Sequence, residues 1–299
     1  MTAATGPAPA SGPSRGWRSR ALTGALLFPA AFWYLVLLVA PLIIIVIFSF
    51  GVRARNGGYA PDFVLDNYVR ALTRPEPFIS SIQMAVIGTI GCLLVGLPLA
   101  YFIATRGGSR KGLLILLLVI PFWTSFLIRT YSWLIILGPD LGIVGWIKDV
   151  TGNDDFRILG TPYAVLLGLI YGYLPLMVFP LYVTLERMDR TLLEASKDLG
   201  AARWGTFRQV TLPIALPGLV TGSILVFIPM MGEYVIPDIL GYGQTYLMGN
   251  ALVSDFLQNR NWPNGAARAV GLMIIMFVTI TFYLWFVNRG RRSRDVSVL

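Results

Sequence analysis

The chain has 299 residues, 56% of them hydrophobic and only 13% charged, with a mean hydropathy of +0.68. Soluble domains carry about a quarter charged residues, so this composition excludes an ordinary soluble protein and indicates an integral membrane protein. The absence of histidine and the presence of a single cysteine, Cys92, exclude intrachain disulfides, thiolate metal clusters and imidazole acid–base catalysis.

The first stretch, "MTAATGPAPASGPSRGWRSR", is rich in Ala, Gly, Pro and Ser and then basic, and is expected to be a disordered tail over 1–25. The apolar run behind it, from Leu22 to Phe50, is longer than the 7–15 residues or so of a signal-peptide core, which favours a retained anchor. Six segments have the length and hydropathy of spanning helices, about 20 residues each: 26–50, 81–105, 112–137, 162–185, 214–237 and 269–288. Together they make one membrane domain over 26–288, followed by a basic tail over 289–299. No inverted internal repeat of the kind common in secondary carriers is visible. Gly168 with Gly172, and Gly218 with Gly222, have the small-xxx-small spacing that lets helices approach closely in lipid.

The net charge of +9 is compatible with nucleic-acid binding or with membrane topology, and the placement of the charges decides. Fifteen Lys and Arg fall in the N-terminal tail, the loop "RGGSRK", the segment 187–213 and the C-terminal tail. Eight fall in the alternate loops, and Arg129 lies within a span. The positive-inside rule then predicts that both termini and the 187–213 segment are cytoplasmic, with no role for nucleic acid.

That segment contains "LLEASKDLGAARWGTFRQVTLPIALPG", Leu192 to Gly218. Thr191 and Glu194 have capping-box spacing, which predicts the start of a short helix there. Leu192, Leu193, Ala195 and Leu199 give it an apolar side, and Lys197 and Asp198 a wet one. Gly200 permits a tight turn. A second short helix is predicted from Ala202, with Trp204, Phe207 and Val210 on one face, ending at Leu212-Pro213. A helix, a glycine turn and a helix outside the bilayer suit docking into a groove on a soluble partner, and equally an amphipathic hairpin lying on the lipid surface.

The run of Glu194, Ala195, Gly200, Phe207 and Leu212-Pro213 resembles the EAA loop of permease subunits in bacterial ATP-binding-cassette (ABC) importers, with Ser196 where the third motif residue is usually Ala. The stretches "PFWTSFLIRTYSW" (Pro121 to Trp133) and "GEYVIPDILGYGQTYLMGNAL" (Gly232 to Leu252) are similar to spermidine/putrescine importer permeases, specifically the first of their two unlike membrane subunits. The similarity runs from about residue 25 to 288. It implies an all-α fold of type I importer architecture, a second and different permease subunit, an extracytoplasmic substrate-binding protein, and a dimeric ATPase that carries the ATP and magnesium. It also implies that Glu194, Ala195, Ser196, Leu199, Gly200, Ala201, Trp204, Phe207 and Pro213 form the coupling element that meets the ATPase. The loop is shared with importers of iron, sulfate, phosphonates and other organic cations, so only the two longer stretches point to polyamines. Independently, the sequence has no G-x-x-x-x-G-K-[ST] loop to hold ATP phosphates, and energising by ATP requires another polypeptide. An ion-coupled carrier is the alternative outside this class; a membrane-embedded enzyme finds no constellation of nucleophile, base and metal ligands.

Charged groups within spans are costly and are functional candidates by default. Glu233 is a candidate contact for a cationic amine, with Asp238 and the aromatic faces of Trp123, Tyr173 and Tyr234 around it. The competing expectation pairs Glu233 with Arg129, or has it cap a broken helix between Pro229 and Pro237.

Overall fold

The computed structural model describes residues 26–139, 142–153 and 155–295; the tail over 1–25 and residues 296–299 of the basic tail lie outside the described residues. The first helix, α1 (Leu26–Ser49), is the most apolar, and none of its most hydrophobic stretch is buried within the chain. A two-stranded hairpin follows, β1 (Val52–Arg53) paired antiparallel to β2 (Tyr59–Ala60), and then the short α2 (Asp66–Thr73). Asn67 of α2 donates from its amide nitrogen to the carbonyls of Ser49 (3.0 Å) and Gly51 (2.8 Å). It thereby satisfies acceptors that a helix end otherwise leaves open.

The core is three long helices packed on one another: α3 (Glu76–Arg106), α7 (Pro162–Glu186) and a helix that crosses as Arg203–Met231. Their contacts are made by small residues against large ones. A side chain at Gly96 would collide with Met177, one at Gly222 with the Met177 sulfur, and one at Gly218 with Pro180 and Thr184. Cys92 sits in this seam, fully buried, its thiol 3.6 Å from the Ile170 carbonyl. Gly168 packs against Leu240 and Ile236, and Gly172 against Ile236 and Phe126, so both small-xxx-small pairs serve packing inside this chain.

Two predicted spans are corrected. The third, 112–137, is not one straight helix: α4 (Gly108–Trp123) and α5 (Phe126–Ile136) meet at 93°. Pro121 lies in a tightened last turn, and Thr124 and Ser125 adopt extended backbone, with the Thr124 hydroxyl closing on the Pro121 carbonyl at 2.6 Å. The fifth, 214–237, stops at Met231, and the chain resumes as a separate short helix after three residues. Among the described residues, five helices are therefore long and apolar enough to cross a bilayer, six if the bent pair counts as one span. The remaining elements are α6 (Gly142–Thr151), α8 (Arg190–Asp198), α9 (Arg203–Met231), α10 (Val235–Leu240), α11 (Met248–Val253) and α12 (Trp262–Asp295). The first part of the basic tail, from residue 289, continues α12 as far as Asp295.

The loops sort to two ends of the bundle. At one end Lys111, at the start of the predicted third span, pairs with Glu186 at the end of α7 (2.8 Å). At the other, the Gly58 amide donates to the Arg260 carbonyl (2.6 Å), and Asp255 is held by Arg268 (3.4 Å) and the Asn264 amide (2.8 Å). Burial raises the carboxyl pKa of Asp255, outweighing the pull of Arg268 and the hydrogen bonds from Asn264 and Asn259.

Candidate functional site

Two regions carry the candidate residues. The first is α8, its turn and the start of α9. The helix begins at Arg190 and not at a Thr191 cap: the Asp189 carboxylate accepts from the Thr191 amide at 2.9 Å. This hydrogen bond lowers the Asp189 pKa. Asp precedes the helix at the position where it caps best, so the expected Thr191–Glu194 box loses to a cap two residues upstream.

Gly200 ends α8 with a φ of +82°, the left-handed conformation that glycine adopts without steric cost. Around it the Gly200 amide donates to Lys197 (2.8 Å) and the Ala201 amide to Ser196 (3.1 Å), the paired bonds of a Schellman stop. The Ser196 hydroxyl lies 3.0 Å from that of Thr206, so the residue that departs from the usual Ala pins α8 to α9. The predicted second short helix does not end at Leu212-Pro213; α9 runs unbroken from Arg203 into the membrane. A widened turn over Phe207–Thr211 absorbs the carbonyl that Pro213 would otherwise clash with, four residues before it.

The outer surface of this segment is unusually apolar for a polar face: Leu199 is 89% exposed and Trp204, stacked on Phe207 at 5.5 Å, is 71% exposed. Glu194 and Ala195 are exposed beside them, whereas Leu193 turns inward.

The second region is the break between α9 and α10. Gly232, Glu233 and Tyr234 leave helical geometry, and the Glu233 side chain, 7% exposed, folds back over the next helix start. Its Oε1 accepts from the amides of Tyr234 (3.0 Å) and Val235 (2.9 Å), and its Oε2 from the Tyr173 hydroxyl. One carboxylate thus supplies the acceptors that a helix N-terminus in a membrane most lacks. Gly249 of α11 packs directly on the Gly232 and Glu233 carbonyls, and the Asn250 amide donates to the Tyr234 carbonyl (3.2 Å).

Of the two competing roles for Glu233, the geometry is that of the cap. Arg129 forms no ion pair with it. The guanidinium lies over Phe122 (4.3 Å) and Phe126 (5.8 Å), and its Nε and Nη1 are buried without an acceptor among the described residues. Arg129 and Ile236 border one narrow crevice with Phe126, Trp133 and Gly172, which places Arg129 next to α10. Tyr234 and Asp238 are exposed on the far side of the break, and Trp123 is exposed at the α4–α5 bend. Tyr173 and Glu233 are therefore brought together, while among the described residues the side chains of Trp123 and Asp238 make no hydrogen bond to either. Sequence reasoning missed Gly249 and Asn250; a glycine followed by an amide at a helix start was the available signal. Among the described residues no cluster of three metal-ligating side chains occurs.

Residues 96–292 match the family model described as "binding-protein-dependent transport system inner membrane component". The chain is 37% identical over 273 residues to the spermidine/putrescine transport system permease protein PotB of Salmonella typhimurium (strain SL1344), covering 89% of this chain and 94% of that one. It is 37% identical over 263 residues to PotB of Escherichia coli (strain K12), covering 86% and 94%. In fold it is similar to a chain from the crystal structure of a bacterial ABC transporter involved in the import of the acidic polysaccharide alginate, with a TM-score of 0.67 at 18% identity over 91% of this chain and 96% of that one. The family match runs from the last third of α3 through α7, the α8 segment and the α9–α10 break, and the chain belongs to the family of binding-protein-dependent transport system inner membrane components, multi-pass permeases with the ABC importer fold.

Proposed function

We propose that this chain is one of two unlike permease subunits of an ATP-driven importer and forms half of the pathway for polyamines, spermidine or putrescine, handed over by an extracytoplasmic binding protein. The observation that carries this reading is the α8–Gly200–α9 element. It exposes Leu199 and Trp204 at the end of the bundle, as a helix that docks into a cleft on a soluble subunit must. In this reading both termini and α8 face the cytoplasm, in accord with the Lys and Arg distribution. ATP and magnesium are held by a dimeric ATPase partner, because this sequence carries no phosphate-binding loop. The substrate class follows the polyamine permeases that share 37% of their residues with this chain.

Within the membrane, Glu233 acts by holding the α9–α10 break open with the help of Tyr173. Tyr234 and Asp238, exposed beyond it, and Trp123 at the α4–α5 bend present aromatic and acidic faces to a passing amine.

The test is to tag this chain, extract it gently and identify the co-purifying proteins by mass spectrometry, then measure ATP-dependent uptake of radiolabelled spermidine and putrescine by the complex in liposomes. Recovery of an ATPase and a different permease with ATP-dependent polyamine uptake is the expected result. Transport by the chain alone would replace this reading with that of an ion-coupled carrier.

A further inference from the structure

The end of the bundle that carries α8 holds a cavity of about 300 Å³ lined by Tyr101, Arg106, Leu193, Lys197, Arg203, Thr206 and Phe207. That size lies at the lower edge of small-ligand sites, roughly 300–1,000 Å³. Its three cations come from three separate elements: Arg106 is the last residue of α3, Lys197 lies on α8, and Arg203 is the first residue of α9. No carboxylate lines it, and neither ion pair among the described residues involves Arg106, Lys197 or Arg203. Three like charges facing one space repel one another, and an anion placed between them is attracted by all three.

The floor is apolar and fixed. The rings of Tyr101 and Phe207 meet edge to face at 6.4 Å, Trp204 stacks on Phe207, and the buried Thr206 hydroxyl is held by Ser196. Arg106 ends one spanning helix and Arg203 begins another, which puts the cavity at the depth of lipid headgroups with an aromatic cluster beside it. A basic pocket between helix ends at that depth matches the chemistry of an anionic phospholipid: phosphate among cations, glycerol and upper acyl carbons against rings.

We propose that this cavity binds the phosphate of an anionic phospholipid headgroup, held by Arg106, Lys197 and Arg203. The lipid then bridges α3, α8 and α9 and fixes the inner face of α8 through Lys197, while Leu199 and Glu194 stay free on its outer side. The site stands on geometry that does not require the importer reading, and its test does not depend on transport.

The experiment uses the intact complex purified from membranes and counts retained phospholipids by native mass spectrometry, before and after exchange into phosphatidylcholine micelles with added phosphatidylglycerol. The wild type is expected to retain anionic lipid through the exchange. The double variant Arg106→Gln/Arg203→Gln is expected to lose about one anionic lipid per copy of this chain, and the charge-matched Arg110→Gln/Arg187→Gln, outside the cavity, to keep it. Where the double variant fails to assemble, Arg106→Gln and Arg106→Lys singly rank the same way, with the lysine retaining more. Equal retention by the cavity variants and the control overturns the proposal. So does a wild type that retains no lipid but carries the mass of bound inorganic phosphate when phosphate is added, which would assign the cavity to a soluble phosphate. A crosslink from Lys197 to an acidic side chain of a partner subunit in lipid-saturated complex would likewise overturn it.

Discussion

The Gly200 turn and the Gly232–Tyr234 break are both interruptions of helix near one end of a span, and they are built on opposite principles. At Gly200 a side chain would meet open space, the backbone closes its own hydrogen bonds, and the flanking Leu199 and Trp204 are left bare. At the break, Glu233 is buried, its carboxylate spends its acceptors on two amides and a tyrosine hydroxyl, and Gly249 seals the other side. The first is held by its backbone and by one side-chain link, Ser196 to Thr206, and leaves its outer surface bare. The second is held by side chains and keeps its geometry to itself. Substitutions should therefore act on interaction at the turn and on stability at the break.

The largest effect is expected from Gly200→Val. A β-branched residue at a φ of +82° carries roughly 1–3 kcal/mol of strain, and no neighbour compensates it. ATP-dependent uptake should fall at least about tenfold while the protein still reaches the membrane, measured as uptake against membrane abundance. Normal uptake would remove the turn from coupling.

Next comes Glu233→Ala, which strands the Tyr234 and Val235 amides and the Tyr173 hydroxyl in a buried site. A loss of about 3 kcal/mol is expected at 1–3 kcal/mol per stranded group with partial rearrangement, read as a lower melting temperature of the purified complex. Glu233→Gln keeps an acceptor and should recover most of that stability. If it melts like wild type yet transports polyamine poorly, the carboxylate charge itself meets the substrate, and the contrast between the two interruptions narrows. Tyr173→Phe should cost about 1 kcal/mol by the same melting assay.

Ser196→Ala sharpens the comparison from the other side. It removes the hydrogen bond to Thr206 and installs the residue the family's motif usually has, so a loss of about 0.5–1.5 kcal/mol in α8 stability with uptake retained is expected. Hydrogen exchange of the α8 amides would read it.

The smallest effect lies outside both interruptions, at Asp255. Its carboxyl pKa is raised above the ordinary 3.8, so the folded chain holds that proton more tightly than the unfolded one. Its contribution to stability is accordingly lost as pH rises from 3.8 through the raised value, and is unchanged above it. Asp255→Asn should flatten that part of the melting-temperature profile; an identical profile would remove the assignment.

Much of the architecture was legible because hydropathy and length measure the same quantity that a bilayer imposes. What escaped was direction. The residues of 112–137 sum to one span whether the helix is straight or turns through 93°, and only Pro121 followed by Thr124-Ser125 hinted at the bend. The span at 214–237 was overrun for the same reason: apolar Val235, Ile236 and Leu240 beyond Glu233 belong to another helix. In the α8–α9 segment the turn falls at Gly200, where a glycine was expected to end the helix, whereas the choice between Asp189 and Thr191 as cap required the backbone. The Arg129–Glu233 pair failed because complementary charge says nothing about which face of a bent helix a guanidinium occupies.

The burial of Cys92 has a practical consequence. The only thiol in the chain is fully enclosed between helices and engaged with a carbonyl, so the natural sequence already behaves as a blank for maleimide or nitroxide labelling. A reporter cysteine placed at Leu199, 89% exposed, would stand alone against that background. Distance and accessibility changes at the turn can then be followed through a turnover cycle without first engineering the native residue away.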